Sequence, residues 1–222
     1  IKKMRICFLT KKNKLGVKEA IAYLRNLTKD IDVFYGNSND PFPESVQKGK
    51  YDLLISYISP WIVPKAVLDK TKRWNINLHP GPPEYPGIGC FNFAIYDSAK
   101  QYGVTAHIME PKVDTGKIIG VKRFSLTGTE TVESLSIKTY ETGLDLFKDV
   151  VQYIYSNDCL PETNEMWKRK PFKRNELEKL ATIKSNMSKQ EINKRITATY
   201  YPGKPAPFIE LFGYRFEYDP DR

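Results

Sequence analysis

A chain of 222 residues with 41% hydrophobic and 27% charged content can build one sizeable core, or a main domain with a smaller appendage. Those proportions exclude an intrinsically disordered chain, and no apolar run approaches the ~20 residues that a membrane span needs. The formal net charge of +9 suits an anionic partner: nucleic acid, a phosphorylated metabolite or a polyanionic cofactor.

The first half alternates strand and helix patterns. Residues 4–9 read as an apolar strand, too short in its apolar part for a signal peptide. Val17, Ala20, Ile21 and Leu24 recur at helical spacing between Gly16 and Leu27. Ile31–Tyr35 is a second strand. Asp52–Ile58 is a third, almost continuously apolar, as a strand covered on both faces should be. A short helix is expected over Pro64–Asp69, with Pro64 in its first turn. Trp74–Leu78 follows as a fourth strand. Cys90–Lys100 has helical character; Gly103–Glu110 and Lys117–Phe124 read as strands joined through Asp114-Thr115-Gly116. Thr129 is a candidate cap for a long helix that places Val132, Leu135, Thr139, Leu144, Phe147, Val151 and Ile154 near one face. Composition shifts at Ser156-Asn157-Asp158, and the basic run Lys168–Arg174 reads either as a solvated loop or as a phosphate- or RNA-facing one. Ser188-Lys189-Gln190-Glu191 fits a capping box before a last helix. The tail from Pro207 to Tyr218 reads as a hairpin turning near Phe212-Gly213.

This rhythm predicts an α/β protein: a Rossmann-like, mostly parallel sheet flanked by helices, with a small C-terminal extension ending in a β-hairpin. The division falls as a core over 1–156 and an extension over 157–222. Ligands of such sheets gather beyond the carboxyl ends of the strands, which places the loop after Leu78 at the mouth of a site. Cys7, Cys90 and Cys159 are odd in number, widely spaced and without CxxC pairing. They point to reduced thiols in a cytoplasmic protein, with no metal site.

Acid–base chemistry concentrates in one window. Both histidines of the chain, His79 and His107, lie there with Asn77 and Asp114. Imidazole exchanges a proton near neutrality with the least tuning. An Asp bonded to a His fixes its tautomer, and an Asn amide can donate to a carbonyl oxygen that gains charge. Converged, these groups suit attack on a carbonyl: acyl or formyl transfer, or hydrolysis. Pro80, Pro82, Pro83 and Pro86 restrict the loop, while Gly81, Gly87 and Gly89 permit close approach. No G-x-S-x-G, P-loop or G-x-G-x-x-G pattern is present, so the nucleophile is expected to be substrate or water.

The string from Asn77 to Ile119, NLHPGPPEYPGIGCFNFAIYDSAKQYGVTAHIMEPKVDTGKII, resembles the catalytic core of the N10-formyltetrahydrofolate-dependent formyltransferases. The similarity covers roughly residues 4–155 and is most like the small nucleotide-sugar N-formyltransferases. It implies that Asn77 polarises the formyl oxygen, His79 assists deprotonation of the attacking amine, and Asp114 orients His79. His107 would take a strand-packing or supporting role. By the same resemblance the co-substrate is N10-formyltetrahydrofolate, with no metal. Its pterin would be wrapped by Pro60, Trp61, Ile62 and Val63 on one side, and by Met109, Glu110 and Val113 on the other. Gly81 and Pro82 would belong to the acceptor side of the loop. Tyr200 and Tyr201 would stack on a nucleotide base, with Lys204 near a diphosphate and Lys11 among the substrate contacts.

The resemblance thus implies a cytoplasmic enzyme that formylates a nucleotide-linked amino sugar, such as a dTDP-4-amino-4,6-dideoxyhexose, for lipopolysaccharide O-antigen. The hydrophobic hairpin suggests a homodimer, and nucleic acid and membrane are not expected partners. The chain departs from the family pattern at Gly81–Gly87, where many members carry Ser-Leu-Leu-Pro. Its first βα turn, Thr10–Gly16, lacks the Gly-Ser-rich loop of the glycinamide ribonucleotide enzymes. The alternatives are a methionyl-tRNA or glycinamide ribonucleotide formyltransferase, a formyltetrahydrofolate hydrolase, or, outside enzymes, a basic RNA-binding module. Against the last, aromatic–basic interleaving is confined to the tail.

Overall fold

The computed structural model describes residues 4–221. The expected core segment therefore begins outside the described residues. A six-stranded sheet forms the centre, in the order β2-β1-β3-β4-β5-β6. Its strands are β1 (Ile6–Thr10), β2 (Ile31–Tyr35), β3 (Leu53–Tyr57), β4 (Trp74–His79), β5 (Gln101–Ile108) and β6 (Ile118–Ser125). The first four pair in parallel, β5 pairs antiparallel with β4, and β6 antiparallel with β5, so that β5 alone runs against the rest. β1 and β3 are buried at every residue, which explains why they read as unbroken apolar runs rather than alternating ones.

One face carries the main core. Phe8, Ile55, Ile76 and Ala106 meet α1 (Val17–Leu27) and α5 (Val132–Asn157) there. The helical face read from sequence on α5 is the buried one, with Leu144 only partly covered. The other face is covered over β1 and β3 by α2 (Glu44–Lys48) and α3 (Lys65–Leu68), packed through Val46, Val67 and Leu68. Pro64 occupies the cap position of α3 rather than its first turn. The helix begun at Cys90 is shorter than expected: α4 ends at Tyr96, because Ser98 turns left-handed at φ 53 and releases the chain into β5.

α5 is capped by Thr131, not Thr129; Thr129 sits in a polar turn closed by Thr127 and Glu130. Beyond α5 the chain forms α6 (Arg174–Ala181), β7 (Thr182–Ile183), α7 (Lys189–Thr199), β8 (Phe208–Leu211) and β9 (Tyr214–Glu217). Ser188 caps α7 as expected, but the Glu191 side chain turns to Tyr96 and Arg195 instead of closing the box. β7, β8 and β9 make a separate small sheet, and the β8–β9 hairpin turns at Phe212-Gly213. Among the described residues no helix is long and apolar enough to cross a membrane.

Candidate active site

β4 and β5 place Asn77 opposite His107 and His79 opposite Thr105. Residues two apart on a strand share a face, so these four side chains leave the sheet on one side. Leu78 and Ala106 leave on the other and enter the main core. The β5–β6 connection folds back over the polar face. Asp114, left-handed at φ 49, sets its carboxylate between the two imidazoles, 3.2 Å from His79 Nδ1 and 3.2 Å from His107 Nε2. The backbone N–H of Gly87 donates to the same carboxylate at 2.7 Å. Burial by itself pushes this carboxyl up. The charge on His79 and the hydrogen bonds from His107 and Gly87 outweigh burial and hold it at about 2.

His107 links the two ends of the array. Its Nδ1 lies 2.8 Å from the Ile108 carbonyl, and the Asn77 amide nitrogen lies 3.0 Å from its Nε2. With the hydrogen on Nδ1, the ring accepts at Nε2 from Asn77, whose amide keeps a second N–H to spend elsewhere. With the hydrogen on Nε2 instead, the ring donates to Asp114, the arrangement that lowers that carboxyl. Sequence put His107 in a strand-packing or supporting role; the groups it bridges needed the cross-strand register to be seen.

His79 is held at both ring nitrogens: Nδ1 by Asp114, and Nε2 by the Tyr85 carbonyl at 2.8 Å. A carboxylate and a carbonyl both accept, so the neutral ring can donate to only one of them at a time. When the Tyr85 contact opens, the neutral ring keeps Nδ1–H on Asp114 and bares a lone pair at Nε2. Gly81 lies directly against that nitrogen; an added Cβ would stand 2.7 Å from it and 2.9 Å from the Tyr85 oxygen. Gly81 and Pro82 are both buried, and the loop is pinned from below by Thr105 on the Gly81 carbonyl and Tyr102 on that of Pro80. The Tyr85 carbonyl and the Gly87 N–H carry no sequence signal of their own, because main-chain groups enter the site only through the fold.

The segments expected to flank a pterin are neighbours. Val63 is buried in an apolar cluster against which Trp61 and Met109 pack. The Trp61 indole is committed to structure: it donates to the Asp40 carbonyl at 3.0 Å, meets Phe42 edge-on and fills the space over Gly36. Pro60 is half-buried, and Ile62, Glu110 and Val113 are exposed on irregular backbone. On the other flank, burial lowers the Lys11 ammonium, followed by the charges of Lys14 and Lys204. The first βα turn and the post-core loop are thus in electrostatic reach of each other. Lys12, Asn13, Lys14 and Tyr35 line a cleft of about 690 Å³ there. Tyr200 packs edge-on against Tyr218, and Tyr201 is half-buried. Among the described residues no group of three or more His, Cys, Asp or Glu side chains is arranged to hold a metal ion.

The formyl transferase family description matches residues 35–151, more than half of the chain and all of the imidazole–carboxylate array. The chain belongs to the formyl transferase family. Within that family, curated relatives include methionyl-tRNA formyltransferases from Clostridium novyi, 30% identical over 139 residues, and from Geobacillus sp., 31% identical over 119 residues. Those alignments cover 61% and 53% of this chain but only 45% and 37% of the relatives, so the chain spans less than half the length of either.

Solved structures are similar over nearly the whole chain. A likely sugar N-formyltransferase of Mycobacterium tuberculosis superposes with TM-score 0.76 at 18% identity, covering 97% of this chain and 96% of the other. An N-formyltransferase from Helicobacter canadensis, solved with folinic acid and dTDP-3-aminofucose, gives 0.73 at 21% identity, covering 95% and 85%. HypX from Aquifex aeolicus, solved with tetrahydrofolic acid, gives 0.74 at 18%, covering 96% of this chain and 37% of that one. At these identities the likeness establishes a shared α/β formyltransferase fold.

Proposed function

We propose that this protein transfers a formyl group from N10-formyltetrahydrofolate to the amine of a nucleotide-linked amino sugar. The observation that carries the reading is the buried Asn77–His107–Asp114–His79 array at the end of β4. N10-formyltetrahydrofolate supplies the formyl carbon. The neighbouring segments around Val63 and Met109 suit it, with irregular backbone at Ile62 and Val113 free to meet the polar edge of a pterin. The spare N–H of Asn77 donates to the formyl oxygen as that oxygen gains charge. His79 takes a proton from the acceptor amine at Nε2 once the Tyr85 carbonyl has been displaced. Asp114 keeps the Nδ1 hydrogen in place and stabilises the imidazolium.

The extent of likeness supports an amino-sugar acceptor over methionyl-tRNA. Sugar N-formyltransferase structures are similar over 97% and 95% of this chain, the extension included, whereas the methionyl-tRNA alignments reach 61% and 53% of it. Lys11, Lys14 and Lys204 form a cationic group suited to a diphosphate, and Tyr201, whose carbonyl accepts from the Lys204 N–H, stands next to it for a base. We further propose a homodimer through β9, an edge strand exposed at every residue and flanked by exposed Phe212. A panel of nucleotide amino sugars incubated with N10-formyltetrahydrofolate and read by mass spectrometry tests the assignment. Gain of one formyl unit on an amino sugar is the expected result. Formylation of methionyl-tRNA alone, or of no acceptor, would overturn it.

A further inference from the structure

Trp167 comes from the extension, beyond the segment that matches the family description, and it reaches the imidazole pair. Its ring stands edge-on to both histidines, with centroids 5.8 Å from His79 at 73° and 5.1 Å from His107 at 81°. Its indole N–H donates to the Gly116 carbonyl at 2.9 Å, in the turn that carries Asp114. The strap holding it is fastened on both sides. Glu165 and Glu84 share Arg123, the Lys168 N–H donates to the Pro83 carbonyl, and Phe172 exchanges backbone bonds with Pro86 and Ile88. A tryptophan serving only as filler would lie among apolar side chains. Trp167 belongs to none of the apolar clusters among the described residues, and the neighbouring Met166 points out at 69% exposure. The surface it covers is polar: two imidazoles and the backbone of a catalytic turn.

We infer that Trp167 is a positioning residue that keeps water from the His79–Asp114–His107 array and so holds the site to transfer rather than hydrolysis. The inference rests on the formyl-transfer reading above. The competing step balances with water alone: its oxygen bonds to the formyl carbon, the bond from that carbon to N10 breaks, and N10 takes the proton. Formate and tetrahydrofolate are the products. His79 would activate water as readily as an amine, so selectivity has to come from what the closed site admits.

The experiment compares wild type, Trp167→Ala and Trp167→Phe in two measurements. Tetrahydrofolate release is followed with and without the amino-sugar acceptor. Trp167→Ala is expected to raise acceptor-independent release about tenfold while transfer falls, and Trp167→Phe, which keeps the ring, to remain close to wild type. In parallel, imidazole N–H signals are recorded by NMR with ¹⁵N-histidine; only two histidines contribute. These signals are expected to persist in wild type and Trp167→Phe and to be lost to solvent exchange in Trp167→Ala. Unchanged N–H signals in the alanine variant overturn the inference, as does a loss of release and transfer in equal proportion. If the alanine variant lacks the wild-type circular dichroism spectrum, Trp167→Leu is read in its place. A wild type that formylates no amino sugar sinks the function proposal alone, and the NMR measurement still decides the role of Trp167.

Discussion

At the residue scale the site is a chain of single atoms, each with one task. Asp114 spends its carboxylate on two imidazoles and a backbone N–H. Replacing His79 or Asp114 by alanine is expected to lower turnover by at least ~100-fold with the fold intact, the scale of a lost acid–base group. Steady-state kinetics beside circular dichroism checks this. Gly81→Ala drives a methyl onto His79 Nε2 and is expected to reduce kcat while leaving substrate KM nearly unchanged. Asp114 also couples stability to pH. Its folded value of about 2 lies below the ordinary 3.8, so the unfolded chain takes up the proton first as pH falls. Its contribution is complete above 3.8 and is lost between 3.8 and about 2. Denaturant midpoints should show that loss in wild type, and Asp114→Asn should lack this component.

At the scale of elements, strands were more legible than short helices. β1 to β4 follow directly from apolar runs bounded by breakers, and α5 from a long helical period. α2 and α6 were missed. The first is a five-residue turn after prolines, and the second starts where the basic run ends and buries only Leu180. Neither has enough apolar surface for periodicity to register. Sequence put Asn77 and His79 at the end of the fourth strand, but the antiparallel strand that brings His107 opposite Asn77 required register. The strap is the element whose energetics are most exposed to test. Phe172 is buried, stacks on Phe93 with centroids 3.6 Å apart and lies parallel to Tyr85. Phe172→Ala is expected to cost roughly 3 kcal/mol of stability, on the scale of large-to-small core changes, and to loosen the Tyr85–Gly87 loop. A lowered denaturant midpoint together with reduced kcat would bear this out; a lowered midpoint with unaltered kcat would count against coupling of strap and loop.

For the whole molecule, net charge and topology act together. The excess of positive charge noted from composition takes on a location in Lys11, Lys14 and Lys204, which only the folded chain brings together. Lys204→Ala is expected to raise the KM for a nucleotide-diphosphate acceptor several-fold with kcat retained, and added salt to raise the wild-type KM in the same direction. Sequence reading reached the fold class, the family and the imidazole–carboxylate pair because these depend on local pattern and one dense motif. It did not reach Trp167, since a lone aromatic far along the chain acquires meaning only by where the extension returns.

Gly87 ties that return to the chemistry at a single peptide. Its N–H holds Asp114, while its Cα has no room for a side chain: a Cβ would come within 2.4 Å of the Phe172 oxygen, and φ is +87. Tail and reaction centre are therefore not interchangeable modules. A chimera grafting a relative's C-terminal portion onto this core would have to rebuild that crossing atom by atom, or lose the bond that holds Asp114 between the two imidazoles.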